Sequence, residues 1–468
     1  MKPTHPEAGG EGVTAALTAF CAELRFESLP SQIVERTKDL VLDHLGVSLF
    51  GSTLPWSAMV RNVALHEGAR GDSTIYGWGK TSTRNAALVN GAAAHAIEFD
   101  DTHDEAMQHP GCVVIPAAIA IGEALDRNGR ELIAAIVAGY EAQCRVGRAI
   151  GSEMMSRGFH ATAACGVFGA AAAVANLLRA SPSELDNAFG IAASMSGGVM
   201  QFSEDAERNM IKRLHSGLPA ERGVLAALLA HEGFTGPSGA VEGRYGVARM
   251  LAGIEDVSMM CDGIGERFEI ERISIKLYPC CKQFHSMIEA IEACRAAESF
   301  VAEDIEAIEA IGTHAMIDTH MQYRPQSAMA AQYSLPYATA AAIVLNPRDS
   351  RSFDAPAIYG EDVLRLADRV RASWSEELER HFPSKYPGGV RIRLRNGRTI
   401  ERAVLDAESS PEKPMGRAEV RGKFESTTDS LISRYCRAGI VHAVVALDTA
   451  TDVRTLGGLL HDAMSRER

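Results

Sequence analysis

The chain has 468 residues, with 47 Lys and Arg against 60 Asp and Glu for a formal net charge of −13, and it is 46% hydrophobic and 23% charged. That length and apolar content exclude disorder as the main state and predict two domains with a large buried core. The acidic balance, without a concentrated basic stripe, argues against a nucleic-acid partner.

In chain order, residues 1 to about 12 read as a frayed tail. This N-terminus lacks the apolar stretch of a secretory signal, which points to the cytoplasm. Helical periodicity follows and persists to roughly residue 255. Ile33, Val34, Thr37, Leu40, Val41 and Leu45 share one helical face. The Ala-rich stretches Asn85 to Ile97, Glu131 to Ile150 and Ala161 to Arg179 bring small residues close together, so their helices can approach tightly. Ala161 to Leu178, with Asn176 inside it, falls short of the roughly 20 strongly apolar residues that cross a bilayer and reads as a buried helix. No membrane partner is expected. Ser181-Pro182-Ser183-Glu184 joins an N-cap, a Pro at the first helical position and a capping-box Glu, so a new helix starts there. Phe234-Thr235-Gly236-Pro237 ends another.

From about Ile270 the period changes. Ile273, Ile275 and Leu277 alternate with polar residues, as do Val390, Ile392 and Leu394, and both sets predict half-buried strands. Between them Ile305, Ala307 and Ile311 share a parity that Glu309 interrupts and Ile308 leaves, a weak strand pattern. Asn396-Gly397 predicts a hairpin between Val390–Arg395 and Arg398–Val404, closed by a two-residue type I′ turn. Helical patterns at His285 to Ala297 and near Tyr337 to Val344 complete a small α+β domain over about 266–408. Pro411 to Gly416 then links to helical sequence that rejoins the first domain.

The densest polar cluster runs from His95 to Glu105 and is closed by His109-Pro110-Gly111. Carboxylates and imidazoles this close can hold a metal, or they can form a loop held by side-chain to backbone hydrogen bonds. His160 precedes the Ala-rich helix and lies near its N-terminus, a favourable place for an anion. Lys212-Arg213-Leu214-His215-Ser216-Gly217 opens another helix with three basic groups, and Lys276 to Lys282 leaves a predicted strand with His285 at the next helix start. Taken singly, such residues are more often surface charges or satisfied histidines; their common position at element ends raises their weight. Nine cysteines without a C-x-x-C pair disfavour a disulfide framework or a zinc module. Cys280 and Cys281 lack an adjacent activating group in sequence and read as buried thiols.

Seven segments in order resemble the MmgE/PrpD family: Leu42-Asp43-His44-Leu45-Gly46, Leu88-Val89-Asn90-Gly91 through Asp101-Thr102, Gly139-Tyr140-Glu141 with Arg145, Gly158-Phe159-His160, Lys212 to Gly217, Lys276 to Pro279, and Ser334-Leu335-Pro336-Tyr337. The family contains dehydratases, decarboxylases and epimerases of small carboxylates. The resemblance implies a mainly α fold: a large all-helical domain from both chain ends (residues 1–265 and 409–468), an inserted α+β lid (266–408), and a homodimer. It also implies chemistry without a metal or other cofactor, and carries active-site roles to Glu98, Thr102, His109, His160, Lys212 and Lys276. Glu98 stands where the family motif has Asp, one methylene shorter, and His103 rivals His109 because the intervening loop varies in length.

The resulting expectation is a metal-independent lyase that eliminates water from a small di- or tricarboxylate, with epimerisation or decarboxylation as alternatives. His160, Lys212 and Lys276 bind the carboxylates where negative charge develops. His109 transfers the proton, Glu98 or Asp101 orients or protonates nearby, and Tyr337 helps to close the pocket.

Overall fold

The computed structural model describes residues 12–464 except 206, 208 and 319. Residues 1–11 of the expected tail lie outside the described residues. The described chain is 58% helical and 9% strand, a mainly α structure.

Its centre is the Ala-rich helix Ala161–Leu178, packed between the helices Gly129–Ser156 and Ile211–His231, with Thr83–Ala94 and Gly111–Ala124 completing the layer. Ala161–Leu178 has the length and hydropathy of a membrane span, yet 94% of it is buried inside the protein, so its apolar surface is spent on other helices. The predicted start signal forms: Ser181 and Glu184 close a capping box on Pro182–Ala193, and the structure adds a second box, of Asn128 and Glu131, on Gly129–Ser156. Small residues set the spacing. Gly91 of Thr83–Ala94 faces Gly217 of Ile211–His231 so closely that a Cβ on Gly91 would lie 3.0 Å from the Gly217 Cα. A larger side chain there would push apart the two helices that deliver the site residues, at a cost of about 1–3 kcal/mol.

The main hydrophobic cluster includes residues from Leu17 to Ile275, and the chain returns to it from Met415 to Met464. Tyr278 to Ile400 supplies a second cluster. That second cluster is built on a four-stranded sheet in the order Val370–Trp374, Ile305–Gly312, Gly388–Leu394, Thr399–Val404, with the first pair parallel and the others antiparallel. Helices His285–Ala297 and Leu335–Val344 pack with the sheet and each other. Across the exposed face, Arg391 pairs with Glu309 and Glu401 on its two neighbouring strands.

Several expectations need correction. The larger body is not wholly helical: Ser73–Ile75 and Gly79–Thr81 form a small antiparallel hairpin, too short for an alternating pattern to show. Glycines at 236, 239, 243, 246 and 253, with Pro237, replace the expected helix before residue 255 by turns and short helical segments. Ile305–Gly312 is a full strand whose register shifts between Ile305 and Ala307, so the buried set is Ile305, Ile308, Ala310 and Gly312 and the sequence parity misleads. The hairpin forms, but Gly397 alone has a positive φ, of 86°, while Asn396 does not, and Leu394 N donates to Arg398 O. The loop therefore has three residues with glycine in the left-handed position, rather than a type I′ turn.

Candidate active site

The helix Thr83–Ala94 ends at His95, and the chain turns sharply through Glu98, whose φ of 54° is left-handed. A non-glycine residue held there costs on the order of 1–3 kcal/mol, and such strain concentrates at functional sites. Thr102–His103 then pairs antiparallel with Ile273–Ser274, Thr102 opposite Ser274, which brings Lys276 alongside the acidic segment. Lys212 and Arg213 come from the first turn of Ile211–His231.

These elements converge on the Glu98 carboxylate. Lys212 donates to its Oε1, and Arg213 lies 3.4 Å from the same oxygen. Lys276 Nζ and the Tyr333 hydroxyl donate to its Oε2 at 3.3 and 3.1 Å. Glu98, Lys212 and Lys276 are each 1% exposed. Burial acts to raise the Glu98 pKa, but the charges of Lys212 and Lys276 outweigh it and hold the carboxyl well below its ordinary range. Burial likewise opposes the charge on Lys276, whereas Glu98 and Asp100 favour it and raise its pKa overall.

Imidazoles line the adjoining side. His95 receives a hydrogen bond from Lys212 at Nε2, 3.0 Å, and its Nδ1 is 2.8 Å from Asp100 Oδ2. Because an ammonium can only donate, the His95 proton sits on Nδ1 and is given to Asp100. The His109 ring lies tilted against that of His95 with centroids 4.9 Å apart, and its Nδ1 donates to Asp101 O at 2.8 Å. Burial, helped by Lys276, lowers the His109 pKa to about 3, against the opposing pull of Asp100. His160, the N-cap of Ala161–Leu178, lies with its Nδ1 3.1 Å from His215 Nδ1, and burial drives both imidazoles towards the neutral form. Neutral His109 and His160 thus face a cluster whose three cations outnumber its carboxylates Glu98 and Asp100. A cleft of about 450 Å³ is lined by Phe99 and Leu277, the sequence neighbours of Glu98 and Lys276, with Arg348 and Lys423, while the cluster residues themselves do not line it.

Asp101 sits behind His109. Its carboxylate accepts from Gly111 N at 2.9 Å and the Tyr140 hydroxyl at 2.6 Å, anchoring the start of Gly111–Ala124. Burial, reinforced by Asp100, raises its pKa to about 7.

The structure therefore brings together Glu98, His109, His160, Lys212 and Lys276. Three other named residues point elsewhere. The Thr102 hydroxyl donates to Gln108 O. His103 is engaged with Glu269 at 2.9 Å, which Arg148 also holds, so the rival of His109 belongs to a separate ion-pair network. Tyr337 is buried in the second cluster, its hydroxyl donating to Ser352 O; Tyr333 is the tyrosine at the site. Sequence reasoning also left His95, Asp100, Arg213 and His215 without roles although they stand inside the quoted motifs, and it missed Gln332, which receives from Arg213 at 2.7 Å and donates to Ile97 O.

His95, Asp100 and His109 present three ligand atoms within 4.8 Å of one another, the donor types of a two-histidine, one-carboxylate metal set. The neighbouring ammonium of Lys212, 3.0 Å from the other nitrogen of His95, makes this a poor place for a further cation.

A buried cluster of cations gripping a carboxylate, with neutral imidazoles beside it, is the candidate site, and its groups are of the kinds that acid–base work on an anionic substrate uses. The pattern that describes the MmgE/PrpD N-terminal domain matches residues 15–260, and that of the MmgE/PrpD C-terminal domain matches residues 278–447. The chain belongs to the MmgE/PrpD family. Among its relatives are the cis-aconitate decarboxylase of Aspergillus terreus, 29% identical over 96% of both chains, and those of Mus musculus and Homo sapiens, each 25% identical over 96% of this chain and 93% and 95% of theirs.

Proposed function

We propose that the protein is a metal-independent lyase that moves a proton beside a carboxylate of a small substrate, and that the bond it breaks is the one to a departing carboxylate. The observation that carries the proposal is the convergence of Lys212, Lys276 and Arg213 on one buried carboxylate, with neutral imidazoles beside it. Decarboxylation ranks ahead of loss of water because the full-length relatives are decarboxylases.

The cations hold the substrate carboxylates, whose charge favours protonation of His109 in the complex. For an unsaturated acid with the departing carboxylate on the allylic carbon, the C–C electron pair becomes the new double bond and CO2 leaves. The former π pair takes the proton of His109, and solvent restores that proton. Lys212 and Lys276 stabilise the charge that builds on the remaining carboxylates during the shift.

Proton NMR of a carboxylate panel in deuterated water tests this directly. Decarboxylation yields CO2 and a product carrying one deuteron at the protonated carbon. Loss of water without CO2 would assign a dehydratase, exchange without loss of a group an epimerase, and inertness of every carboxylate would overturn the proposal.

A further inference from the structure

We infer that Glu98 is an internal occupant of the carboxylate pocket, and that the site is built for a dicarboxylate rather than a tricarboxylate. This rests on the carboxylate-lyase reading above and sharpens it to a substrate class.

The argument starts from the donors. Lys212 and Arg213, Lys276, and Tyr333 come from three segments of the chain, and all four direct a polar group at the two Glu98 oxygens. An entering substrate carboxylate would need the same donors. Glu98 is fully buried, so it cannot swing into water without moving the left-handed turn that carries it. Lys212 and Arg213 are further committed to His95 and Gln332. With Glu98 and Asp100 set against three cations, one net positive charge remains for an incoming ligand. Each substrate carboxylate beyond those the cations can serve meets the fixed Glu98 charge in a poorly screened interior. Shortening the side chain by one methylene draws the carboxylate back by about one C–C bond, ~1.5 Å, and frees donors at the Lys276 and Tyr333 side.

The test uses a matched pair of cis-alkene acids, citraconate and cis-aconitate, which differ in carrying a methyl group or a carboxymethyl arm that supplies a third carboxylate. Binding to wild type, Glu98→Asp and Glu98→Gln is followed by calorimetry and by thermal shift. The expected result is that wild type binds citraconate at least tenfold more tightly than cis-aconitate, and that both variants shift the ratio at least tenfold towards cis-aconitate. If Glu98 only braced the cations, both ligands would weaken together in the variants and the ratio would hold. An unchanged ratio, or wild type that prefers cis-aconitate, overturns the inference while leaving the lyase reading standing. Failure of every protein to bind either acid overturns the inference, and turnover of the carboxylate panel decides the lyase reading separately.

Discussion

Replacing Asp101 by Asn should stabilise the protein by an amount that grows with pH. In the folded protein burial and Asp100 lift the Asp101 pKa to about 7 despite the hydrogen bonds from Tyr140 and Gly111, whereas an unfolded Asp titrates near ~3.9. A folded pKa above the unfolded one means that, between these values, the native state keeps a proton the unfolded state has released. Stability contributed by this group is intact below about pH 4 and is lost as the pH rises to about 7. Roughly three pH units at 1.36 kcal/mol each give a penalty of about 4 kcal/mol in full by pH 8. Asn removes the titration and keeps the contacts, since its oxygen can accept from Gly111 N and its amide can donate to the Tyr140 oxygen. Urea unfolding of both proteins at pH 5 and pH 8, with m-values compared, should show the variant gaining about 2–3 kcal/mol over wild type between the two, the share of the penalty that falls between pH 5 and about 7. A difference in stability that is the same at both pH values would refute the raised pKa. The same variant separates positioning from catalysis: His109 bonds to the Asp101 backbone oxygen, so the kcat profile should keep its shape, and loss of a limb near pH 7 would make Asp101 the proton carrier.

Lys212→Met and Lys276→Met should each lower kcat/KM by about a hundredfold or more while far-UV circular dichroism stays unchanged, the loss expected for one preorganised charge contact; near-normal turnover in both would remove the anion pocket from the mechanism. His109→Gln should abolish turnover and solvent proton exchange, yet the protein should still be stabilised thermally by a carboxylate, because Lys212, Lys276 and His160 remain. Activity should persist after exhaustive chelation, and a loss reversed by one divalent ion would shift attention to His95, Asp100 and His109 as ligands.

What the sequence reveals here is what depends on near neighbours or on ordered motifs. The Ser181–Glu184 capping box and the small-residue helices are local, and the convergence of Glu98, His109, His160, Lys212 and Lys276 follows the order of the family segments. The hidden parts depend on tertiary placement. Tyr337 sits in the named Ser334–Tyr337 segment, but the helix Leu335–Val344 turns it into the second cluster. Tyr333, just before that helix's N-cap, reaches the site instead, and nothing near it in sequence announces the contact with Glu98 some 235 positions away. Thr102 looks catalytic by motif, yet its hydroxyl is taken by Gln108 O within the same turn. The bulge after Ile305 is likewise invisible to a parity count.

The two-rung ladder between Thr102–His103 and Ile273–Ser274 works as a ruler for the pocket. Lys276, just past the ladder, donates to Glu98 and Ser274 to Asp104, while Ile273 and Ile275 join the main core. Sliding one partner by a single residue would exchange these two sets, sending Lys276 towards oil and an isoleucine towards Glu98. The distance between acid and ammonium is thus written in main-chain pairing rather than in side-chain choice. Evolution can retune the pocket by swapping what stands at 98, while a one-residue insertion or deletion between the ladder and Lys276 would erase it.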